Sequence, residues 1–241
     1  MTLLRVATYN IHKGVSGFGL RRRLEIHNLG HAIEQFDADI VCLQEVRKSH
    51  RKEAAHFSRW PDLPQAEYLA PPGYEAVYRT NAVTRHGEHG NALLSRWPVA
   101  THQHEDMSDH RFEQRGLLHV TVVVNKRTVH VLVVHLGLIR SSRARQVGQL
   151  LRFIEREVPS DAPLIVAGDF NEAAASIKQW LGATQLIAWD EHHSTFPARL
   201  PLLQLDHVFA RGLKPVAVQV PRGPVWSRMS DHLPLIAEFR F

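Results

Sequence analysis

Apolar residues along this chain gather in short runs, and several runs end abruptly in polar side chains. Pro163-Leu164-Ile165-Val166-Ala167 is continuous and rich in β-branched residues, the pattern of a buried strand. It stops at Gly168-Asp169-Phe170-Asn171. Ala38-Asp39-Ile40-Val41-Cys42-Leu43 stops in the same way at Gln44-Glu45. A helical pattern precedes each run, and a strand with a polar tip precedes each helix: Leu3 to Tyr9 leads into Asn10, and Thr128 runs to His135. The intervals from Asn10 to Glu45 and from His135 to Asp169 are nearly equal. The chain therefore performs strand, polar tip, helix, strand, acid twice. Facing each other, the two units would bring Asn10, Glu45, His135, Asp169 and Asn171 to one end of two sheets.

The remaining pattern fills in this outline. Ile26, Leu29, Ile33 and Phe36 recur at helical spacing, as do Val147, Leu150, Leu151 and Ile154, with Ser141 or Ser142 as cap. Arg143, Arg145, Arg152 and Arg156 lie on other faces of that second helix and read as solvated. Leu117–Val124 and Thr128–His135 form a hairpin around Asn125-Lys126-Arg127. Tyr74–Tyr78, Asn91–Ser95, Leu205–Ala210 and Pro215–Val220 read as strands, and Ser176–Leu181 as a short helix. The last strand alternates Leu235, Ala237, Phe239 and Phe241 with Ile236, Glu238 and Arg240. Long loops, with room for a short helix, are expected through most of 46–90, and Thr101 to Gly116 reads as a polar loop. No linker or low-complexity tract divides residues 1–241, so one α/β domain is expected, with helices outside two facing mixed sheets.

Charge adds a direction. The formal balance is +5 with 17 histidines counted as neutral, which favours anionic partners or serves solubility alone. Arg21-Arg22-Arg23 is either a solvated helix start or a phosphate-facing patch. The single cysteine, Cys42, excludes an internal disulfide and a multi-cysteine metal site. No signal-peptide pattern and no apolar run of membrane-spanning length is present. A cytoplasmic location is expected, compatible with attachment to the inner face of the membrane. No obligate protein partner is implied.

Taken singly, an Asp or Asn at a strand end is a turn former, and a lone His a structural residue. Their coincidence at five strand tips points to chemistry. Glu45 and Asp231, with the amide oxygens of Asn10 and Asn171, are hard oxygen ligands that suit Mg²⁺ or Mn²⁺. Zinc would call for more histidine at short spacing. Asp169 could orient or deprotonate a water, with Asn171 holding it. His135 and His232 could donate to phosphoryl oxygens as imidazolium, and Asp206 is the candidate partner of His232.

Tyr9-Asn10, Leu43-Gln44-Glu45, Val134-His135-Leu136, Gly168-Asp169-Phe170-Asn171, Leu205-Asp206-His207-Val208-Phe209 and Ser230-Asp231-His232-Leu233-Pro234 together resemble the ordered motifs of the endonuclease/exonuclease/phosphatase superfamily, with its DNase I-like fold. The resemblance implies a four-layer α/β/β/α sandwich with pseudo-two-fold halves and a Mg²⁺-dependent phosphoesterase. It implies Glu45 at the metal with Asn10 and Asp231 nearby, and Asp169 with Asn171 serving the water. It puts His135 on the scissile phosphate, and has His232 with Asp206 stabilise the transition state or act as acid and base. His12, Lys13, Asn91 and Arg115 are the candidates for contacts to substrate phosphate. DNA-repair members carry an acid where this chain has His12, and an aromatic stretch where it has Ser194-Thr195-Phe196-Pro197. Asn10-Ile11-His12-Lys13-Gly14 and His89-Gly90-Asn91-Ala92-Leu93-Leu94-Ser95-Arg96 look closer to a bacterial branch akin to sphingomyelinase-like and lipid-associated phosphodiesterases. The expected substrate is a phospholipid headgroup or small phosphodiester. The runner-up is nuclease action on DNA or RNA, and the remote reading a binding domain that kept the fold.

Overall fold

The computed structural model describes residues 3–17, 19–182, 184–187, 189 and 191–240. The first half contains β1 (Leu3–Asn10), the two-residue strands β2 (Val15–Ser16) and β3 (Arg23–Leu24), α1 (Ile26–Phe36), β4 (Ile40–Val46), α2 (Arg51–His56), α3 (Gln65–Leu69), β5 (Glu75–Thr84) and β6 (Gly87–Ser95). There follow β7 (Val99–Asp106), β8 (Gly116–Val124), β9 (Arg127–His135), α4 (Arg140–Glu157), β10 (Leu164–Asp169), α5 (Ala174–Leu181), β11 (Asp206–Arg211), β12 (Lys214–Gln219), α6 (Trp226–Met229) and β13 (Leu235–Arg240).

One sheet has the order β12-β13-β1-β4-β6-β5, and the second β11-β10-β9-β8-β7. Each is built around a parallel pair, β1 with β4 and β9 with β10. Antiparallel neighbours flank each pair: β13 and β6 in the first sheet, β8 and β11 in the second. The doubled sequence pattern is therefore a doubled topology. Its polar tips lie in register, Asn10 beside Gln44 and His135 beside Asp169.

Side chains alternate across a strand, so each central strand feeds two cores. Leu4, Val6, Ile40 and Cys42 meet Val131, Val133, Ile165 and Ala167 between the sheets. Ala7, Tyr9, Val41 and Leu43 turn outward against Leu29, Ile33 and Phe36 of α1. Leu132, Val134, Leu164 and Val166 turn outward against Val147, Leu150, Phe153 and Ile154 of α4. Three apolar interfaces separate four layers, an α/β/β/α sandwich. Strands covered on both faces are near-continuously apolar, which is why these runs carried so clear a signal. Gly168 marks where β10 closes on β9: a Cβ there would lie 1.9 Å from the Val134 carbonyl oxygen.

Several expectations are corrected. Thr101 to Gly116 is not all loop. It holds most of β7, whose backbone pairs with β8 at the sheet edge while His102, Gln103 and His104 face solvent. Neither Ser141 nor Ser142 caps α4. The cap position is Ile139, without a side-chain bond, and the Ser142 hydroxyl donates to Asp109 at 2.6 Å. Arg143 donates to Glu172 at 2.9 Å, Arg145 to Asp109 at 2.6 Å and Arg156 to Glu157 at 2.6 Å, so these arginines are paired rather than merely solvated. Between residues 46 and 90 the short helix allowed for becomes two, and the Tyr74–Tyr78 strand is the start of a longer β5–β6 hairpin. The arginine triplet crosses from a 3₁₀ turn into β3 instead of starting a helix. Met1, Thr2 and Phe241 lie outside the described residues. Among those described, no helix is long and apolar enough to cross a membrane.

Candidate active site

The parallel strands β1, β4, β9 and β10 deliver their polar tips to one end of the two sheets. Where α/β strands end, backbone must leave the ladder, and ligand sites collect there. Four non-glycine residues at this end have left-handed backbone: His12 (φ 44°), Lys13 (φ 63°), Glu45 (φ 58°) and Asn171 (φ 50°). Such conformations are costly for residues with a Cβ and cluster at functional sites. At Glu45 the cause is visible. The register of β4 on β6 shifts between Leu43 and Val46, and the bulge re-aims a side chain that regular pleating would place elsewhere.

Asp169, only 1 % exposed, is the hub. Its Oδ1 accepts the Asn171 backbone N–H at 2.9 Å, and its Oδ2 accepts the Asn10 amide at 3.0 Å. His135 Nε2 and His232 Nε2 stand 3.6 and 3.5 Å from the same Oδ2, beyond good hydrogen-bond length and close enough to feel its charge. His232 donates Nδ1–H to Asp206 Oδ2 at 2.8 Å. Asp206 is fully buried and also accepts the Thr195 hydroxyl at 2.6 Å. The result is a continuous line from Thr195 through Asp206 and His232 to Asp169.

Burial fixes the protonation of these groups. It raises the Asp169 carboxyl to about 6, helped by Asp206 and opposed by His232. For His232 burial opposes charge, but Asp206 and Asp169 outweigh it and lift the imidazole to about 10. His135 is pushed well below its ordinary value, by burial first and Arg115 next. The two histidines thus differ: His232 is an imidazolium at neutral pH, whereas His135 is a neutral imidazole and not the cationic donor expected. In the metal-free protein the His232 ring should remain protonated across pH 5–8 by NMR. Asp206→Asn should bring its titration down toward the ordinary histidine range. A His232 that titrates near 6.5 in both proteins would remove the relay.

Glu45 faces the Lys13 ammonium, 2.7 Å from Oε2, although that oxygen makes no well-aligned hydrogen bond. Burial works against the Glu45 charge, and Lys13 overcomes it, holding the carboxyl well below its usual range. Asn10 offers Oδ1, which accepts the His12 backbone N–H at 3.1 Å. Asp231 lies 3.2 Å from His12 Nδ1, and the Ser230 hydroxyl ties its loop to the Asn10 carbonyl at 2.7 Å. Asn171 spends its amide N–H on the Leu136 carbonyl at 2.9 Å. A cleft of about 370 Å³ opens beside these residues, bordered by His12, Asp231 and the apolar wall of Pro197, Ala198 and Leu200. Larger grooves, such as one of about 990 Å³ along α4 and α5, hold none of the convergent groups.

Among the described residues, two sets are candidates to hold a cation. Asp169, Asp206 and His232 offer ligand atoms within 4.8 Å of one another. There the imidazolium already supplies the positive charge, and its Nδ1–H is committed to Asp206. Glu45 fits better: a buried carboxylate oxygen, poorly hydrogen-bonded, meets a cation that is a flexible lysine. Asn10 and Asp231 belong to the same rim.

Two of the expected phosphate contacts are placed otherwise. Asn91 is fully buried and donates its amide to the Gly116 and Val133 carbonyls at 2.9 and 3.1 Å. It staples one sheet to the other and offers no donor to a cleft. Arg115 donates to the Leu136 carbonyl at 3.1 Å and pairs with Glu113 at 3.0 Å, which makes it a brace of the His135 loop. His12 and Lys13 do border the site. Sequence reasoning missed Thr195, and with it Phe196, whose ring centroid lies 4.9 Å from that of His232.

The profile of the Endonuclease/Exonuclease/phosphatase family matches residues 7–232, which takes in every strand tip described above. The chain belongs to that family. It is 37% identical to the uncharacterized protein YbhP of Escherichia coli K12, over 97% of this chain and 95% of that one. Its fold is similar to an endonuclease/exonuclease/phosphatase from Bacteroides vulgatus, at TM-score 0.78 and 17% identity with all of both chains covered. It is also similar to Danio rerio TDP2 complexed with a single-stranded DNA product, at TM-score 0.71 and 16% identity, again over all of both chains. Family membership makes the chain a hydrolase of phosphoesterase or nuclease type.

Proposed function

We propose that this family member is a phosphodiesterase dependent on Mg²⁺ or Mn²⁺, acting on a phospholipid headgroup or another small phosphodiester. The observation that carries the reading is the position of Asp169, between Asn10, His135 and the His232–Asp206 pair, with His12 and Asp231 of the same strand ends bordering an open cleft. A carboxylate with a pKa near 6 is largely ionised at neutral pH yet still basic enough to accept a proton from an attacking water. Asn10 and the Asn171 backbone orient that carboxylate. The new bond joins the water oxygen to phosphorus as the bond to the leaving oxygen breaks. His232, held as imidazolium, stabilises the charge that builds on the phosphoryl oxygens or gives the departing oxygen its proton. A divalent ion at Glu45, with Asn10 and Asp231, would neutralise the phosphoryl oxygens and polarise the phosphorus.

The apolar wall of Pro197, Ala198 and Leu200 supports a substrate with an uncharged, apolar portion, as do the exposed Leu138, Ile139 and Leu202 on neighbouring loops. Nucleic acid is the second reading, favoured by the likeness to the DNA-bound TDP2 fold. The test is a bis-(p-nitrophenyl) phosphate assay, followed by phospholipid micelles, DNA and RNA. Hydrolysis is expected only with Mg²⁺ or Mn²⁺ and should vanish in chelator. Full rate in chelator would remove the metal. A rate on DNA that falls steeply with salt, with none on micelles, would move the substrate to nucleic acid.

A further inference from the structure

Beside the catalytic cleft lies a second, smaller one of about 40 Å³, lined by His12, Lys13, Val15, Gly17, Arg22 and Arg47. A single water needs roughly 10–15 Å³ on this measure, so the space takes a small oxyanion. Its walls are pre-built. Gln65, 1 % exposed, accepts the Arg47 backbone N–H at 2.8 Å and donates to the Lys13 carbonyl at 2.8 Å, clamping together the two loops that supply the charges. Arg22 pairs with Glu53, and its guanidinium carbon sits 5.8 Å from the centroid of the Phe57 ring. Arg47, 8 % exposed, has a buried Nη1 without a hydrogen-bond partner; its ion-pair contact is Glu53 Oε1 at 3.4 Å.

The charges do not balance. Among the described residues, the ion-pair partners of Lys13, Arg22 and Arg47 are Glu45 and Glu53, so positive charge is in excess. The excess grows if Glu45 engages a divalent ion, because Lys13 then loses its partner. An excess of cations around one cleft, with the buried one under-bonded and the other two half-buried, favours an anion between them. Guanidinium groups match phosphate oxygens with paired N–H donors.

We propose that the cleft of Lys13, Arg22 and Arg47 holds a second phosphate of the substrate, so that the preferred substrates are phosphodiesters carrying a further phosphate close to the scissile bond. This rests on the phosphodiesterase reading for the neighbouring cleft and narrows it. A nucleotide chain and a phosphorylated polyol headgroup both supply that chemistry.

The experiment compares paired substrates on two scaffolds, with the metal-supplemented full chain. The first pair is thymidine 5′-(p-nitrophenyl phosphate) with and without a 3′-phosphate. The second is glycerol 3-(p-nitrophenyl phosphate) with and without a phosphate at C1. The added phosphate should lower KM by about 10-fold or more on at least one scaffold, the scale of one charge-assisted contact, with kcat little changed. A gain confined to the nucleoside points to nucleic acid, and one confined to glycerol points to a headgroup. In Arg22→Gln the ratio within each pair should fall to near one, and Arg22→Lys should keep part of it. Thermal melting confirms that both variants fold. Hydrolysis of all four esters without preference overturns the second-phosphate site and leaves the phosphodiesterase reading intact. If no ester is cleaved, that reading fails, and calorimetry decides the cleft separately. Thymidine 3′,5′-bisphosphate must then bind more tightly than thymidine 5′-monophosphate, and Arg22→Gln must erase the difference. Equal binding overturns the proposal.

Discussion

Asp169→Asn should lower kcat/KM for a chromogenic phosphodiester by about 10²–10⁴-fold, the range that a positioned base contributes, while the protein stays folded. The substitution keeps the size and shape of a buried side chain, so the packing of β10 against β9 and β11 has no reason to change. What changes is bonding. Oδ2 now accepts the Asn10 amide and lies near two imidazole nitrogens. If an NH₂ takes that place, donor meets donor at Asn10 and a charged His232 loses one of its two carboxylate neighbours. Proton acceptance from water is lost as well. Melting temperature and near-UV circular dichroism should stay close to those of the parent protein. Near-normal turnover in a folded Asp169→Asn variant would show that another group activates the water, and the reading of the hub would have to be abandoned.

Much of this hub was legible because burial makes strands speak plainly. β1, β4, β9 and β10 are covered on both faces, so each approaches its end through a largely apolar run; in β4 and β10 the first polar side chain marks the strand tip. The parallel pairing of β1 with β4 and β9 with β10 follows from the helix between the members of each pair. An edge strand gives no such signal. β7 satisfies only one side of its backbone and leaves His102 to His104 in water, so its composition is that of a loop. Partnership across the chain was equally silent. That Asn91 serves the Gly116 and Val133 carbonyls, that Arg143 belongs to Glu172, and that Thr195 holds Asp206 are facts of three-dimensional proximity that no spacing encodes. The Ser194-Thr195-Phe196-Pro197 stretch was conspicuous for what it lacked, and the structure shows what it supplies. The left-handed backbone at Glu45 left no trace either, since a glutamate carries no propensity for that conformation.

Glu45→Gln should weaken divalent-metal binding by more than the 10–100-fold that changes behind a ligand typically cost, and activity at sub-saturating Mn²⁺ should collapse with it. The amide retains the length of the side chain and the bulge of β4, and removes the charge that a hard cation requires. Lys13 loses its ion pair at the same time, so the variant does not merely swap one cation for another. Titration of Mn²⁺ by electron paramagnetic resonance reads the affinity without reference to turnover, which separates a lost metal from a lost base. Asp206→Asn is the discriminating companion, because Asp206 belongs to the competing set with Asp169 and His232. If the ion belongs at Glu45, Asp206→Asn should keep Mn²⁺ affinity near that of the parent protein while shifting the His232 titration. If instead Asp206→Asn abolishes binding and Glu45→Gln spares it, the cation sits among the buried Asp169, Asp206 and His232. The imidazolium could not then coexist with the metal, because Nε2, which faces Asp169, would have to give up its proton to coordinate the ion, leaving a neutral ring whose Nδ1–H still donates to Asp206.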